Sequence, residues 1–193
     1  MSRSLDASVA TVAPDVTVLP ASSLDAPARA HLVALVNAAF ATHAWLFPGG
    51  ERTDDETFRE ETAGADLLLL HDSAGPDPTA PTAPGVPVAM AMIRPDDRWP
   101  GALYLGMVAV RPTAQRRGYG AALVRAAEDE ARRRGLLRVT LGTVPELGNT
   151  AYYERKGYVV VSRDPKPAGT WGSSAPFTLL RMEKQLVGPT PTP

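Results

Sequence analysis

The 193 residues predict a single mixed α/β domain. Three observations carry that prediction. Short β-branched or alternating apolar runs interleave with stretches of helical spacing, in the order strand, two helices, three strands, helix, strand, helix, two strands. The composition is that of an ordinary globular chain, 44% hydrophobic and 21% charged. No internal repeat interrupts the order.

Each element has a local reason. Val16–Leu19 is a short apolar run closed by Pro20 and reads as an edge strand. Asp25 with Pro27 opens a helix whose stripe is Leu32, Leu35, Val36, Ala39 and Phe40. Thr53 or Asp54 caps a second, acidic helix that Gly64 ends. Leu67–Leu70 reads as a buried strand, and Pro87–Arg94 as a second, followed by a turn at Pro95–Pro100. Ala102–Val110 is the third, with Gly106 in mid-run marking a bulge or a close backbone approach. After Val110 the period changes: Leu123, Val124, Ala127 and Ala131 line one face of a helix that Gly135 closes. Arg138–Thr143 is strand-like, Asn149–Lys156 a short helix stopped by Gly157, and Tyr158–Ser162 and Phe177–Lys184 the last two strands. Nineteen prolines, well above average usage, concentrate in the loops. They mark a Pro/Ala linker at 73–84, a flexible N-terminal arm at 1–14 and a flexible C-terminal tail at 188–193 around a folded domain at 15–187.

Composition excludes several function classes. A net charge of −1 does not suit a polycation that coats nucleic acid. With no cysteine there is no disulfide scaffold, thiolate metal site or cysteine nucleophile. No His/Asp/Glu spacing suggests a metal site, so none is expected. No apolar run, Leu67–Leu70 included, comes near the ~20 residues that span a bilayer. The first fifteen residues lack the apolar core of a signal peptide, and a cytoplasmic protein without a membrane partner is expected. The charge is uneven: residues 111–138 hold 8 positive and 3 negative side chains, residues 1–110 hold 6 and 14. A basic block in an acidic chain suggests one local anionic ligand.

That block begins where a strand runs into Gln115-Arg116-Arg117-Gly118-Tyr119-Gly120 and then a helix. Free N–H groups at a helix start, on glycines that let an anion approach the main chain, form a phosphate cradle. No Gly-Lys-Ser/Thr follows, and the third glycine of a dinucleotide-binding loop is missing. Some twenty-five residues on comes Asn149-Thr-Ala-Tyr-Tyr153-Glu-Arg-Lys-Gly157-Tyr158. Together the two stretches resemble the signature motifs of the GCN5-related N-acetyltransferase (GNAT) superfamily. The resemblance follows the element order from Val16 to Leu186, and its specific motifs cover Leu105–Tyr158.

The resemblance implies a GNAT-like fold, in which a mostly antiparallel mixed sheet flanked by helices holds one splayed parallel pair, here strands 102–110 and 138–143. It implies acetyl-CoA as co-substrate, pairing with the backbone of Val108, Ala109 and Val110, with Gly106 and Met107 at the bulge that opens the cleft. Arg116, Arg117, Gly118, Tyr119, Gly120 and Ala121 would hold its pyrophosphate, with Gln115 at the loop's start. Asn149 would bond the coenzyme arm, although Asn is also a preferred N-cap. The Val108 N–H would stabilise the oxyanion and Tyr153 would protonate the leaving thiolate, while Tyr152 reads as packing.

Many relatives carry a Glu on the strand before the loop; strand 102–110 has no acidic residue, so Glu146 is the candidate base, ahead of Asp96 and Asp97. Trp45 and Phe47, near Asp54 and Asp55, are candidate acceptor-pocket walls. The expected activity is direct acetyl transfer to a primary amine of a small molecule. The alternatives are a protein N terminus or lysine as acceptor, and a coenzyme-A-binding module without turnover. Relatives often pair through their last strands, which makes a homodimer an expectation.

Overall fold

The computed structural model describes residues 16–71 and 86–186. The arm at 1–14, the tail at 188–193 and the linker at 73–84 lie outside the described residues. The chain forms β1 (Val16–Pro20), α1 (Ala26–Phe40), α2 (Asp55–Glu61), β2 (Asp66–His71), β3 (Pro87–Pro95), β4 (Ala102–Val110), α3 (Tyr119–Arg133), β5 (Arg138–Thr143), α4 (Thr150–Arg155), β6 (Val159–Lys166) and β7 (Phe177–Gln185). The expected order is observed. Asp25 caps α1 by accepting from the Ala28 N–H at 2.8 Å, and Asp54 rather than Thr53 caps α2 from the Thr57 N–H at 2.7 Å. The β6 strand runs past the expected Ser162 to Lys166; it lies at the sheet edge, where Pro165 forfeits no ladder bond.

One seven-stranded sheet has the order β1-β2-β3-β4-β5-β7-β6. Every neighbouring pair is antiparallel except β4 and β5. The parallel register begins at Ala102 with Arg138 and ends at Leu105 with Leu141. Both strands continue beyond that point without each other, β4 to Val110 and β5 to Thr143. On its other side β4 stays paired with β3, as Gly106 with Met92 and Ala109 with Met90. Met107 and Val108 therefore stand opposite Ala91 alone, a β-bulge in which Met107 takes φ +49. The bulge falls one residue later than expected, since Gly106 is still in register. Gly106 answers the other expectation, a close approach: a Cβ there would lie 2.7 Å from Met92 Cε and 2.8 Å from the Tyr104 ring.

The sheet carries apolar packing on both faces. On one, α3 buries Leu123, Val124, Ala127 and Ala131 completely against Leu103, Leu105, Val139 and Leu141. On the other, α1 and α2 bring Leu32, Leu35, Val36 and Phe58 onto Leu67, Leu69, Met90 and Met92. Each such side chain contributes on the order of 2 kcal/mol of transfer free energy.

Ion pairs orient α3. Arg134, at its end, bonds Asp66 of β2 at 2.5 Å and Glu130 at 2.6 Å. Arg133 holds Glu130 with two further bonds at 2.7 and 2.5 Å. Near its middle, buried Glu128 accepts both of its bonds from the Lys184 ammonium of β7 at 2.8 Å, and one from the Tyr158 hydroxyl at 3.4 Å. The basic block is thus not one anion site. Arg132, Arg133, Arg134 and Arg138 are spent on Glu128, Asp129, Glu130, Asp66 and Glu183. Arg116 and Arg117 stand before α3, at the other end of a 15-residue helix, roughly 22 Å away at the α-helical rise.

The hydrogen bonds from Arg133, and then those from Arg134, hold the Glu130 carboxyl down at about 2. A depressed acid adds stability that is complete above the ordinary carboxylate range and is lost as pH falls towards about 2. Glu130→Gln is expected to lower urea stability at pH 7 by about 2 kcal/mol. The gap between variant and wild type should close between pH 4.5 and 2, as read by urea titrations across that range.

Candidate active site

A cleft of about 820 Å³ opens where β4 and β5 part. Its floor is Tyr104 to Val108 of β4 and Leu141 to Thr143 of β5. Its walls are Phe40, Leu46, Phe47 and α2 on one side, and Asn149, Tyr153, Trp171, Leu179 and Arg181 on the other. Beyond Leu105 the edge of β4 that faced β5 has no strand partner, so the backbone of Val108 is open to pairing by an extended ligand arm.

The loop after β4 leads into the start of α3. A short turn at Pro112–Ala114 passes to Gln115, then to Arg116 with φ +62 and Gly118 with φ +86, the residue before the helix. A left-handed residue next to a right-handed one turns successive backbone N–H groups into a concave nest, and the first N–H groups of α3 add the positive end of its dipole. Nothing lies within 4 Å of where a Gly118 Cβ would stand, so the demand for glycine there is conformational rather than steric. Tyr119 is 8% exposed and packs into the α3-side core. The Gln115 amide donates to the Val110 carbonyl at 3.3 Å and ties the loop back to β4. Arg116 and Arg117 are exposed at the loop's crest.

Tyr153 is 7% exposed, with its ring edge-on to Tyr152 at 5.2 Å and to Tyr158 at 5.9 Å. Burial, reinforced by the neighbouring tyrosines, pushes its hydroxyl well above the usual phenol range, so it stays protonated and presents a donor to the cleft. Asn149 does not cap α4 with its side chain. It accepts from the Thr143 hydroxyl at 2.5 Å, which pins it across the mouth of the cleft and leaves its amide N–H groups for a ligand.

The hydroxyl of Tyr152 is buried without a partner, and lies 3.8 Å from where a Gly120 Cβ would be. Read from the sequence as packing, this tyrosine points a polar atom at the loop. An orphaned hydroxyl, an open nest and an unpaired strand edge are what a phosphate-bearing ligand with an amide arm would satisfy.

Several expected residues fall elsewhere. Glu146 is exposed on the turn at Pro145–Leu147 and does not line the cleft. Asp96 is committed to the Thr140 hydroxyl and the N–H groups of Arg98 and Trp99, and Asp97 pairs loosely with Arg94 at 3.6 Å. Trp45 packs edge-on to Phe177 at 6.4 Å behind the wall, so it does not line the cleft. Phe47 does line it, with the Arg52 guanidinium over its ring at 5.3 Å. Met107 and Val108 line it too, while Ala109 is buried in the α1-side core.

Other lining residues went unread in the sequence. Trp171 sits in the loop between β6 and β7 at φ +57, stacked on Phe177 at 5.1 Å. Arg94 and Arg181 flank Tyr104. Among the described residues no group of His, Cys, Asp and Glu could hold a metal ion, and no helix is long and apolar enough to cross a membrane.

The profile of the acetyltransferase (GNAT) family matches residues 36–158, which takes in the end of α1, the parted strands, the loop and α4. The chain belongs to the GNAT acetyltransferase family. Solved structures share the fold over nearly the whole chain. The ribosomal-protein-S18-alanine N-acetyltransferase of Escherichia coli superposes with a TM-score of 0.64 at 18% identity, over 93% of this chain and 99% of that one. The yncA protein of Salmonella typhimurium, solved with its cofactor acetyl-CoA, gives 0.59 at 19% identity, over 93% and 98%. The IAA acetyltransferase of Bacillus cereus gives 0.61 at 13%, over 89% and 100%. No curated protein matches the sequence.

Two substitutions separate binding from chemistry. Gly118→Val forces a β-branched residue into a left-handed conformation, a strain of about 1–3 kcal/mol. It is expected to weaken acetyl-CoA binding at least about tenfold in titration calorimetry, with a smaller effect on kcat at saturation. Tyr153→Phe is expected to lower kcat about 10- to 100-fold while leaving the KM for acetyl-CoA near wild type, the signature of a hydrogen bond to developing charge. The reverse ordering in steady-state kinetics would reassign both residues.

Proposed function

We propose that the chain transfers the acetyl group of acetyl-CoA directly to a primary amine of a small molecule. What carries the reading is the combination of three features: a cleft floored by an unpaired strand edge that runs from Val108 towards Val110, a buried, protonated Tyr153 in its wall, and a left-handed loop at the start of α3 directly after that strand. The edge and Asn149 would hold the pantetheine amides, and the nest would hold the pyrophosphate, with the Tyr152 hydroxyl available beside Gly120.

The reaction asks little else of the protein. The amine nitrogen bonds the acetyl carbonyl carbon, the carbon–sulfur bond breaks, and sulfur leaves with the electron pair. As charge builds on the carbonyl oxygen, a β4 N–H at the bulge meets it, with Val108 the best placed. A thiol has a pKa near 8.5 and a phenol near 10, and burial raises Tyr153 further, so full proton transfer from Tyr153 to sulfur runs uphill. Its task is then to donate a hydrogen bond to the departing sulfur. The sulfur's proton derives from the amine.

The incoming ammonium must lose a proton first. Glu146 lies outside the cleft, and Glu61 is held by Arg52 through bonds of 3.0 and 2.7 Å. Removal through water to the exposed rim carboxylates Glu51 and Glu60 takes its place. A cleft of about 820 Å³ walled by Phe47, Trp171 and α2 suits a small acceptor. With no cysteine in the chain, an acetyl-cysteine relay has no carrier.

Thiol release measured over a panel of small primary amines and matched peptides tests the reading. Turnover on small amines, little on peptides, and no mass gain when enzyme and acetyl-CoA are quenched without acceptor are expected. A stable acetyl-enzyme, or turnover confined to peptides, would overturn it.

A further inference from the structure

The cleft floor holds an arrangement that acetyl transfer does not use. Arg94 of β3 and Arg181 of β7 each place a guanidinium carbon 5.7 Å from the centre of the Tyr104 ring. The sheet register builds this row: Arg94 is paired with Tyr104, and Gly142 of β5 with Arg181. Gly142 makes the row possible, since a Cβ there would stand 3.3 Å from Arg181 Nη1 and 3.6 Å from the Tyr104 hydroxyl.

The charges are poorly balanced. The Nε of both arginines is buried without a hydrogen-bond partner. Arg94 has one long contact, 3.6 Å to Asp97, whose side chain is 78% exposed. Among the described residues no carboxylate forms an ion pair with Arg181, and nearby Asp96 is committed to Thr140, Arg98 and Trp99. Two guanidinium groups set on one ring, with buried donors unspent, cost free energy that an anion beside them would offset. The planar fork of arginine matches the two oxygens of a carboxylate.

We propose that Arg94, Tyr104 and Arg181 form a carboxylate subsite, and that the acceptor is a zwitterion, a primary amine that also carries a carboxylate. This rests on the acetyl-transfer reading of the same cleft. The carboxylate takes the arginine forks and the Tyr104 hydroxyl, which turns the amine towards the bulge. Tyr104 and Val108 are four residues apart on one strand, roughly 13 Å, and the arginine side chains shorten that span. The separation of amine from carboxylate is therefore a determinant of specificity. Overall acidity of the N-terminal half would favour a simple cation; this row at the floor argues instead for an acceptor with both charges.

The test pairs each of glycine, the straight-chain amino acids up to 6-aminohexanoate, and L-phenylalanine with its own amide, and reads kcat/KM by thiol release. The free acid of the best pair is expected to exceed its amide at least about tenfold, the worth of hydrogen bonds to a charged group. In Arg181→Met that ratio is expected to fall towards one, and Arg181→Lys, which keeps charge without the fork, should retain part of it. Amides accepted as well as acids by the wild type, or a ratio unmoved in Arg181→Met, would overturn the subsite. If no pair turns over, the acetyl-transfer reading is decided by the wider panel of small amines and peptides. The subsite is then judged by calorimetry with N-acetyl-L-phenylalanine against its amide in the presence of coenzyme A. Tighter binding of the acid that is lost in Arg181→Met upholds it, and equal or absent binding overturns it.

Discussion

The parting of β4 from β5 is the constraint on which the rest of the molecule depends. Two parallel strands that begin in register normally continue to hydrogen-bond, because each unpaired backbone group costs free energy. Here pairing stops at Leu105 and Leu141. The cause is a single extra residue: β4 keeps step with β3 across a bulge at Met107 and Val108, and an inserted residue bends and twists the strand that carries it. Met107 pays with a left-handed conformation, and the apolar packing of its own side chain and of Ala109 among Met90, Met92 and α1 holds it there. Relieving the bulge would close the sheet and erase the cleft and the free strand edge, and with them the β4 N–H proposed as the oxyanion donor.

Around that opening the helices divide the work. The α3 helix lies against one face with its start near the opening and its far end clamped to β2 through Arg134 and Asp66. Its middle is clamped to β7 through Glu128 and Lys184, and the Tyr158 hydroxyl joins that pair. Because Tyr158 also stacks on Tyr153, the clamp fixes the end of α4 and with it the hydroxyl that faces the cleft. The α1 and α2 helices cover the other face and leave the acceptor side of the cleft between themselves and the loop that carries Trp171.

Most of this order was legible in the sequence because it is local. The α3 stripe at Leu123, Val124, Ala127 and Ala131 is wholly buried as its spacing implied, and Asp25 and Asp54 cap the helices they precede. The positions of the loop at the start of α3 and of Tyr153 in the cleft wall were legible because each lies in a run of consecutive residues. Proximity in sequence to a motif misled elsewhere: Glu146 and Trp45 lie close to site residues along the chain, yet one turns to solvent and the other backs onto Phe177. The arginine row was illegible for the opposite reason. Arg94, Tyr104, Gly142 and Arg181 become neighbours through three strand pairings, and no local pattern marks any of them.

The same distinction governs the electrostatics. A block sum of formal charge describes a stretch of chain, whereas a ligand feels the charges that remain unpaired in its site. The acidic helix α2 is largely self-satisfied: Asp54 accepts from its own helix start and titrates below the usual range for that reason, Asp55 bonds Arg29, and Glu61 bonds Arg52. The arginines at the end of α3 are likewise consumed. What is left facing the cleft is Glu51 and Glu60 at the rim and Arg94 and Arg181 on the floor. The unpaired charges around the cleft are therefore of two signs, and the proposed acceptor would be selected by how its own charges are spaced rather than by its net charge.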